Sequence, residues 1–145
     1  MNKTWFIDID GTLVRHINDN YDITQGDSEE LLPYAVEFLE GIRQNGDCII
    51  LTTARLEKDR LVTVKMLKEF GLVYDQIIFG IGSRERILIN DIKPRGVNDN
   101  GYRDYTMPMA YAINVERDVG LSNILQYNFN QPIINQKDYV WELIQ

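Results

Sequence analysis

The residues whose types and spacing could do chemistry are concentrated in Phe6-Ile7-Asp8-Ile9-Asp10-Gly11-Thr12-Leu13. Two carboxylates stand two positions apart at the end of an apolar run, and a glycine follows them. In extended backbone such residues share a face, so Asp8 and Asp10 project together before Gly11 lets the chain turn. Neighbouring carboxylates repel unless a cation binds or one of them carries a proton. Either outcome serves phosphate chemistry, in which one aspartate attacks phosphorus and the other moves a proton. Asp-x-Asp-Gly is also a common turn after a strand. Its position after the first apolar run favours the chemical reading, because open α/β sheets bind ligands at the carboxyl ends of their strands.

The elements that must position this pair follow from the hydrophobic pattern. Trp5-Phe6-Ile7 with Ile9, then Asp47–Thr52, Gln76–Phe79, Ile87–Ile89 and Tyr111–Val115, are short apolar runs that predict five buried strands. Leu32, Ala35, Val36, Leu39 and Ile42 recur at helical spacing, with Pro33 suited to a first turn and Gly46 to a stop. A second helix is predicted from Glu57 to Phe70, with Val62, Met66 and Phe70 as its apolar stripe and Gly71 as its end. This alternation predicts a doubly wound, mainly parallel α/β sheet covered on both faces. Gly11–Ser28 and Pro94–Met109 read as irregular connections, and Asn135–Gln145 as a short closing helix with Tyr139, Val140 and Leu143 inward.

Composition bounds the partners. The length of 145 residues suits one domain, and 44% hydrophobic residues suffice for a core. A net charge of −7 argues against nucleic acid and against a membrane surface as partners. The short apolar runs exclude a transmembrane helix, and Asp8 interrupts any signal-like segment, so a cytoplasmic location is expected. Cys48 has no possible disulfide partner in the chain and reads as a core residue. Charge is uneven: seven acids and no Lys or Arg lie between Asp19 and Glu40, whereas Arg84, Arg86, Lys93 and Arg95 cluster against Glu85 and Asp91. That cluster is either a solvated loop or a local anion site.

The Asp8–Leu13 segment, together with weaker motifs in the same order, resembles the haloacid-dehalogenase-like superfamily, in its small, cap-less, magnesium-dependent phosphatase form. The resemblance covers most of residues 4–95 and little beyond 98, which implies a Rossmann-like core over 1–97 and a segment, 98–145, that completes or covers it as one domain. It implies Asp8 as nucleophile and Asp10 as general acid and base, with the Asp8 carboxylate and the Asp10 carbonyl holding magnesium (Mg2+). Thr52-Thr53-Ala54-Arg55 is similar to the family's second motif, so the Thr53 hydroxyl and the following main-chain N–H would hold a phosphate oxygen. Arg55 would bind a substrate anion or pair with an acid. Ile87-Leu88-Ile89-Asn90-Asp91 fits the fourth motif and implies Asp91 as a metal ligand, with Asn90 where many members carry a second acid. The family lysine has no counterpart between Phe79 and Asp91. Arg84 is the favoured substitute, with Arg86, Lys58 and Lys93 as rivals. Gly80-Ile81-Gly82 is not a dinucleotide fingerprint, because position 85 is Glu.

About forty residues separate Leu13 from Thr53, and one helix uses part of them, so there is room for a flap but not a cap. An open site suits a phosphosugar or related small phosphometabolite, and a second copy of the chain is a possible cover. His16, the single histidine, reads as an exposed loop residue or a substrate contact. The competing expectations are a phosphate- or metabolite-binding module without turnover, and a dehalogenase, against which Asp10 argues.

Overall fold

Three of the apolar runs form strands. The computed structural model describes residues 3–16, 29–91 and 109–125. They fall into two compact units, the first holding residues 3–16, 29–83 and 115–125, the second residues 84–91 and 109–114. In the first unit, β1 (Thr4–Asp8), β2 (Cys48–Thr52) and β3 (Gln76–Ile78) make a parallel sheet in the order β1-β2-β3. The register pairs Asp8 with Thr52 and Thr52 with Ile78, so the strand ends finish level with one another. The fold is α/β, with α1 (Ala35–Gln44) and α2 (Arg60–Glu69) between successive strands.

One sheet face makes the core. Ile7, Ile49 and Leu51 are buried together with Phe38, Leu39 and Ile42 of α1, and Trp5 meets Phe38 edge-on at 5.8 Å. On the other face Phe6 is 54% exposed among the described strands. Helix α1 begins at Ala35, after Pro33 and a left-handed Tyr34, rather than with Pro33 in its first turn. Gly46, with φ 79°, ends it, as Gly71 with φ 72° ends α2. Residues Glu57–Asp59 form a 3₁₀ turn leading into α2. The buried face of α2 is Thr63, Met66 and Leu67, not Val62, Met66 and Phe70. The stripe turns because Thr63 is buried as a hydrogen-bond partner, which apolar periodicity does not register.

The fourth and fifth expected strands are absent from the described residues. Ile87 and Ile89 are 86% and 91% exposed, and neither 87–89 nor 111–115 carries a strand ladder. A short apolar run becomes a strand only when neighbours pair its backbone and cover its side chains; 87–89 has neither, and 111–115, half-buried at Tyr111, Ile113 and Val115, has no ladder. Cys48 is half-buried at the start of β2 instead of in the core, and burial followed by the nearby Asp75 pushes its thiol up. Residues 17–28 of the first connection, Lys93, residues 94–108 of the second connection, and the expected helix Asn135–Gln145 lie outside the described residues.

Residues 115–125 belong to the first unit's core. Leu121 and Ile124 are buried, and the Leu121 N–H donates to the Pro33 carbonyl at 3.0 Å. Gly120 (φ 88°) lies so close to Pro33 that a Cβ there would stand 2.5 Å from the Pro33 oxygen. At the opposite end of the sheet, Asp47 accepts from the Lys3 main-chain N–H at 2.9 Å and from Trp5 Nε1 at 3.0 Å, fastening the start of β1. Burial works against ionisation of Asp47, but the Trp5, Lys3 and Asn45 hydrogen bonds outweigh it and hold the carboxyl below its usual value. Its stabilising effect is therefore fully present above the unfolded-state value, near pH 4, and is lost as pH falls through the lower folded-state value. Asp47→Asn is expected to cost about 1–3 kcal/mol at neutral pH and to flatten the acid limb of stability against pH. Thermal melts of both proteins from about pH 3 to neutrality check this.

Candidate active site

The two aspartates sit where the first strand ends and the chain folds back. Ile9 continues the ladder by donating to the Thr52 carbonyl at 3.2 Å and is fully buried. The chain then turns tightly. The N–H groups of Thr12, Leu13 and Val14 converge on the Ile9 carbonyl, and the Gly11 N–H donates to Val14 at 2.7 Å. Gly11 has φ 88°, the left-handed region that favours glycine. This turn brings the Thr12 hydroxyl back to Asp8, donating to Oδ2 at 3.4 Å.

Asp10 faces the end of β2. Its Oδ2 accepts from the Thr53 hydroxyl at 3.1 Å, so a side-chain bond links the level ends of β1 and β2. Arg55 grips the same carboxylate in a fork, Nη2 to Oδ1 at 2.7 Å and Nε at 3.2 Å from both oxygens. Arg55 Nη2 also pairs with Glu29, and Nη1 donates to Thr63 of α2 at 3.3 Å. The Arg55, Asp10 and Glu29 side chains are 9%, 23% and 7% exposed, so this is a largely buried ion triad. Burial disfavours the Arg55 charge, yet the hydrogen bonds and charges of Asp10 and Glu29 raise its pKa above the ordinary arginine value. Of its two expected partners, Arg55 takes the acid.

Thr53 is fully buried, and its hydroxyl is used twice, donating to Asp10 and accepting the Arg55 main-chain N–H at 3.0 Å. The Ala54 main-chain N–H, on an exposed residue, has no partner among the described residues. Lys58 is exposed in the 3₁₀ turn before α2. In the second unit, Arg84 and Asp91 are both exposed. Asn90 there donates to the Met109 carbonyl at 3.4 Å and accepts the Asp91 N–H at 3.0 Å.

Two further residues at the site carry no motif in the sequence. Glu29 is the buried partner of Arg55, whereas the adjacent Glu30 pairs with exposed Arg15 at 2.6 Å. Nothing in the acidic run separates the two; the distinction arises because consecutive residues of extended chain face opposite ways. Arg117 comes from the late segment, and its Cγ lies 3.2 Å from where a Cβ on Gly11 would stand.

Magnesium takes hard oxygen ligands and commonly keeps several waters beside one or two carboxylates. Among the described residues no three His, Cys, Asp or Glu side chains gather around one point. The Asp10 carboxylate is spent on Arg55 and Thr53, but its main-chain carbonyl accepts no hydrogen bond from the described residues. That carbonyl and the Asp8 carboxylate are a two-oxygen set of the kind magnesium accepts.

No protein-family model matches the chain, and no curated protein matches it. Among solved structures, the crystal structure of a target protein from Vibrio cholerae aligns over 92% of this chain and 94% of that one, with a TM-score of 0.50 and 17% identity. The likeness supports the α/β fold. The ion triad yields a direct expectation: Arg55→Ala strands two buried carboxylates and costs about 3–5 kcal/mol of stability. Adding Glu29→Gln removes one of them and recovers part of that loss. Urea unfolding of the two variants against the parent protein measures both effects.

Proposed function

We propose that the chain is a magnesium-dependent phosphomonoester hydrolase of the haloacid-dehalogenase-like kind, acting on a phosphosugar or related small phosphometabolite. The observation that carries this reading is the meeting of Asp8, Asp10 and Thr53 at the level carboxyl ends of two adjacent parallel strands, with Asp10 bonded to Thr53 at 3.1 Å. In this reading Asp8 attacks phosphorus, and the new P–O bond forms as the ester P–O bond breaks. Asp10, which takes up a proton before this step, gives that proton to the leaving oxygen. Asp10, now a carboxylate, then takes a proton from water, whose oxygen attacks the aspartyl-phosphate and releases inorganic phosphate and Asp8.

Arg55 and Thr53 fix the direction in which Asp10 faces, a positioning task that fork geometry performs well. The open Ala54 N–H is the main-chain donor for a phosphate oxygen. Asp8 and the Asp10 carbonyl would hold magnesium, which when bound supplies the charge that lets a phosphate dianion approach carboxylates. A doubly wound sheet with helices on both faces, a cytoplasmic setting and a homo-oligomer covering an open site belong to the same proposal. Nucleic acid does not, given the net charge of −7.

A second reading, a phosphate- or metabolite-binding module without turnover, draws on the occupation of both the Thr53 hydroxyl and Arg55 by Asp10. Phosphate release from phosphosugars, nucleotides and p-nitrophenyl phosphate, with magnesium and with chelator, separates the two. Release is expected to require magnesium, to fall at least about 1,000-fold in Asp8→Asn and about 100- to 10,000-fold in Asp10→Asn. Activity that ignores the chelator or survives Asp8→Asn overturns the hydrolase reading.

A further inference from the structure

The late segment reaches the catalytic turn by an unusual path. The Asp118 N–H donates to the Gly11 carbonyl at 2.9 Å, and Asp118 Oδ1 accepts the His16 N–H at 2.6 Å. Asp118 adopts a left-handed φ of 61°, and Gly120, two residues on, locks against Pro33. A non-glycine residue in that region is held there by its surroundings at a cost in strain, which directs attention to what the held segment presents.

It presents Arg117. The stem of Arg117 crosses Gly11, with Cγ at 3.2 Å and Cδ at 3.9 Å from the position of an added Cβ, and the Cβ of His16 lies 3.6 Å from the same point. Every other described arginine of the first unit is spent on carboxylates: Arg15 on Glu30, Arg43 on Asp75, Arg55 on Asp10 and Glu29, and Arg60 on Glu57. Arg117 is exposed and has no ion pair among the described residues, although Glu116 and Asp118 flank it. In an acidic chain, a guanidinium with no ion pair among the described residues, its stem over the turn that carries the aspartates, offers a local site for negative charge. The Arg117 stem lies over Gly11, three residues beyond Asp8 at the end of β1.

We propose that Arg117, with His16 beside it, binds a second anionic group of the substrate, a carboxylate or a further phosphate, and so selects doubly anionic phosphomonoesters. This inference rests on the hydrolase reading and names the substrate class of that site. Guanidinium is suited to the task because it meets either group with two parallel N–H donors.

The test compares kcat/KM for two matched pairs: fructose 1,6-bisphosphate against fructose 6-phosphate, and 3-phosphoglycerate against glycerol 1-phosphate. The first pair adds a phosphate and the second a carboxylate, so the pair with the larger ratio identifies the group. The parent protein is expected to favour the doubly anionic member of at least one pair. Arg117→Ala is expected to reduce that ratio about 10- to 100-fold, mainly through KM, because charge-assisted hydrogen bonds of this kind are lost. Arg117→Lys is expected to retain part of the ratio, and Arg43→Ala, on the far end of α1, all of it. No preference in the parent protein, or a loss in Arg117→Ala that leaves the ratio unchanged, overturns the inference. If no phosphomonoester is hydrolysed the catalytic reading fails by itself, and calorimetric titration with pyrophosphate and with phosphate then decides this one. Tighter pyrophosphate binding that depends on Arg117 supports it; equal or absent binding overturns it.

Discussion

Asp10 and Glu29 both turn their carboxylates into the protein, and two such groups cannot share a dry space without a cation between them. The Arg55 guanidinium is that cation, and its planar fork is what makes the arrangement possible. It reaches Asp10 in bidentate fashion, Glu29 through the same nitrogen, and Thr63 through the other terminal nitrogen. One side chain thus ties the turn after β1, the approach to α1, the end of β2 and the first turn of α2. A lysine, with its donors around a single point, could not span these four places.

The consequence for chemistry is that Arg55 commits four of its five N–H donors within the protein, leaving one on Nη1. Asp10 is aimed and Thr53 is buried behind it, which leaves main-chain N–H groups and side chains from other segments to meet a ligand's charge. Formally the triad sums to one negative charge, and Asp8 adds another nearby. That surplus is what a divalent cation would balance. It also explains why any cationic help for a second anion has to arrive from outside the two motifs, on a segment distant in sequence.

How much of this was legible in the sequence depends on the range of the forces involved. Strands and helices of the first unit follow from local pattern: the apolar runs at Trp5–Ile7 and Ile49–Leu51 and the periodic face of α1 are decided within a few residues. The aspartate pair at the strand end is likewise a local signal. Where a polar residue is buried through a distant partner, local pattern points elsewhere. Thr63 faces inward because Arg55 meets it, so α2 turns its face away from the apolar stripe its sequence spells out. Ile87-Leu88-Ile89 is the opposite case, apolar and β-branched yet lacking a ladder, because strand formation needs a neighbour that composition does not reveal.

The late segment shows the same limit more sharply. Nothing local marks residues 115–125 as part of the core rather than an appendage: the segment contains one glycine, Gly120, and a mixture of charges. Its place is set by close approach, since only a residue without a Cβ lets the chain at 120 touch the Pro33 carbonyl, and only then does Leu121 reach the interior. The same closure holds Asp118 on the Gly11 carbonyl and lays Arg117 across the turn. Gly11 is needed there twice over, for its left-handed backbone and for the room it leaves the arginine stem. A segment whose first duty is to complete the core thereby also borders the turn that carries the two aspartates.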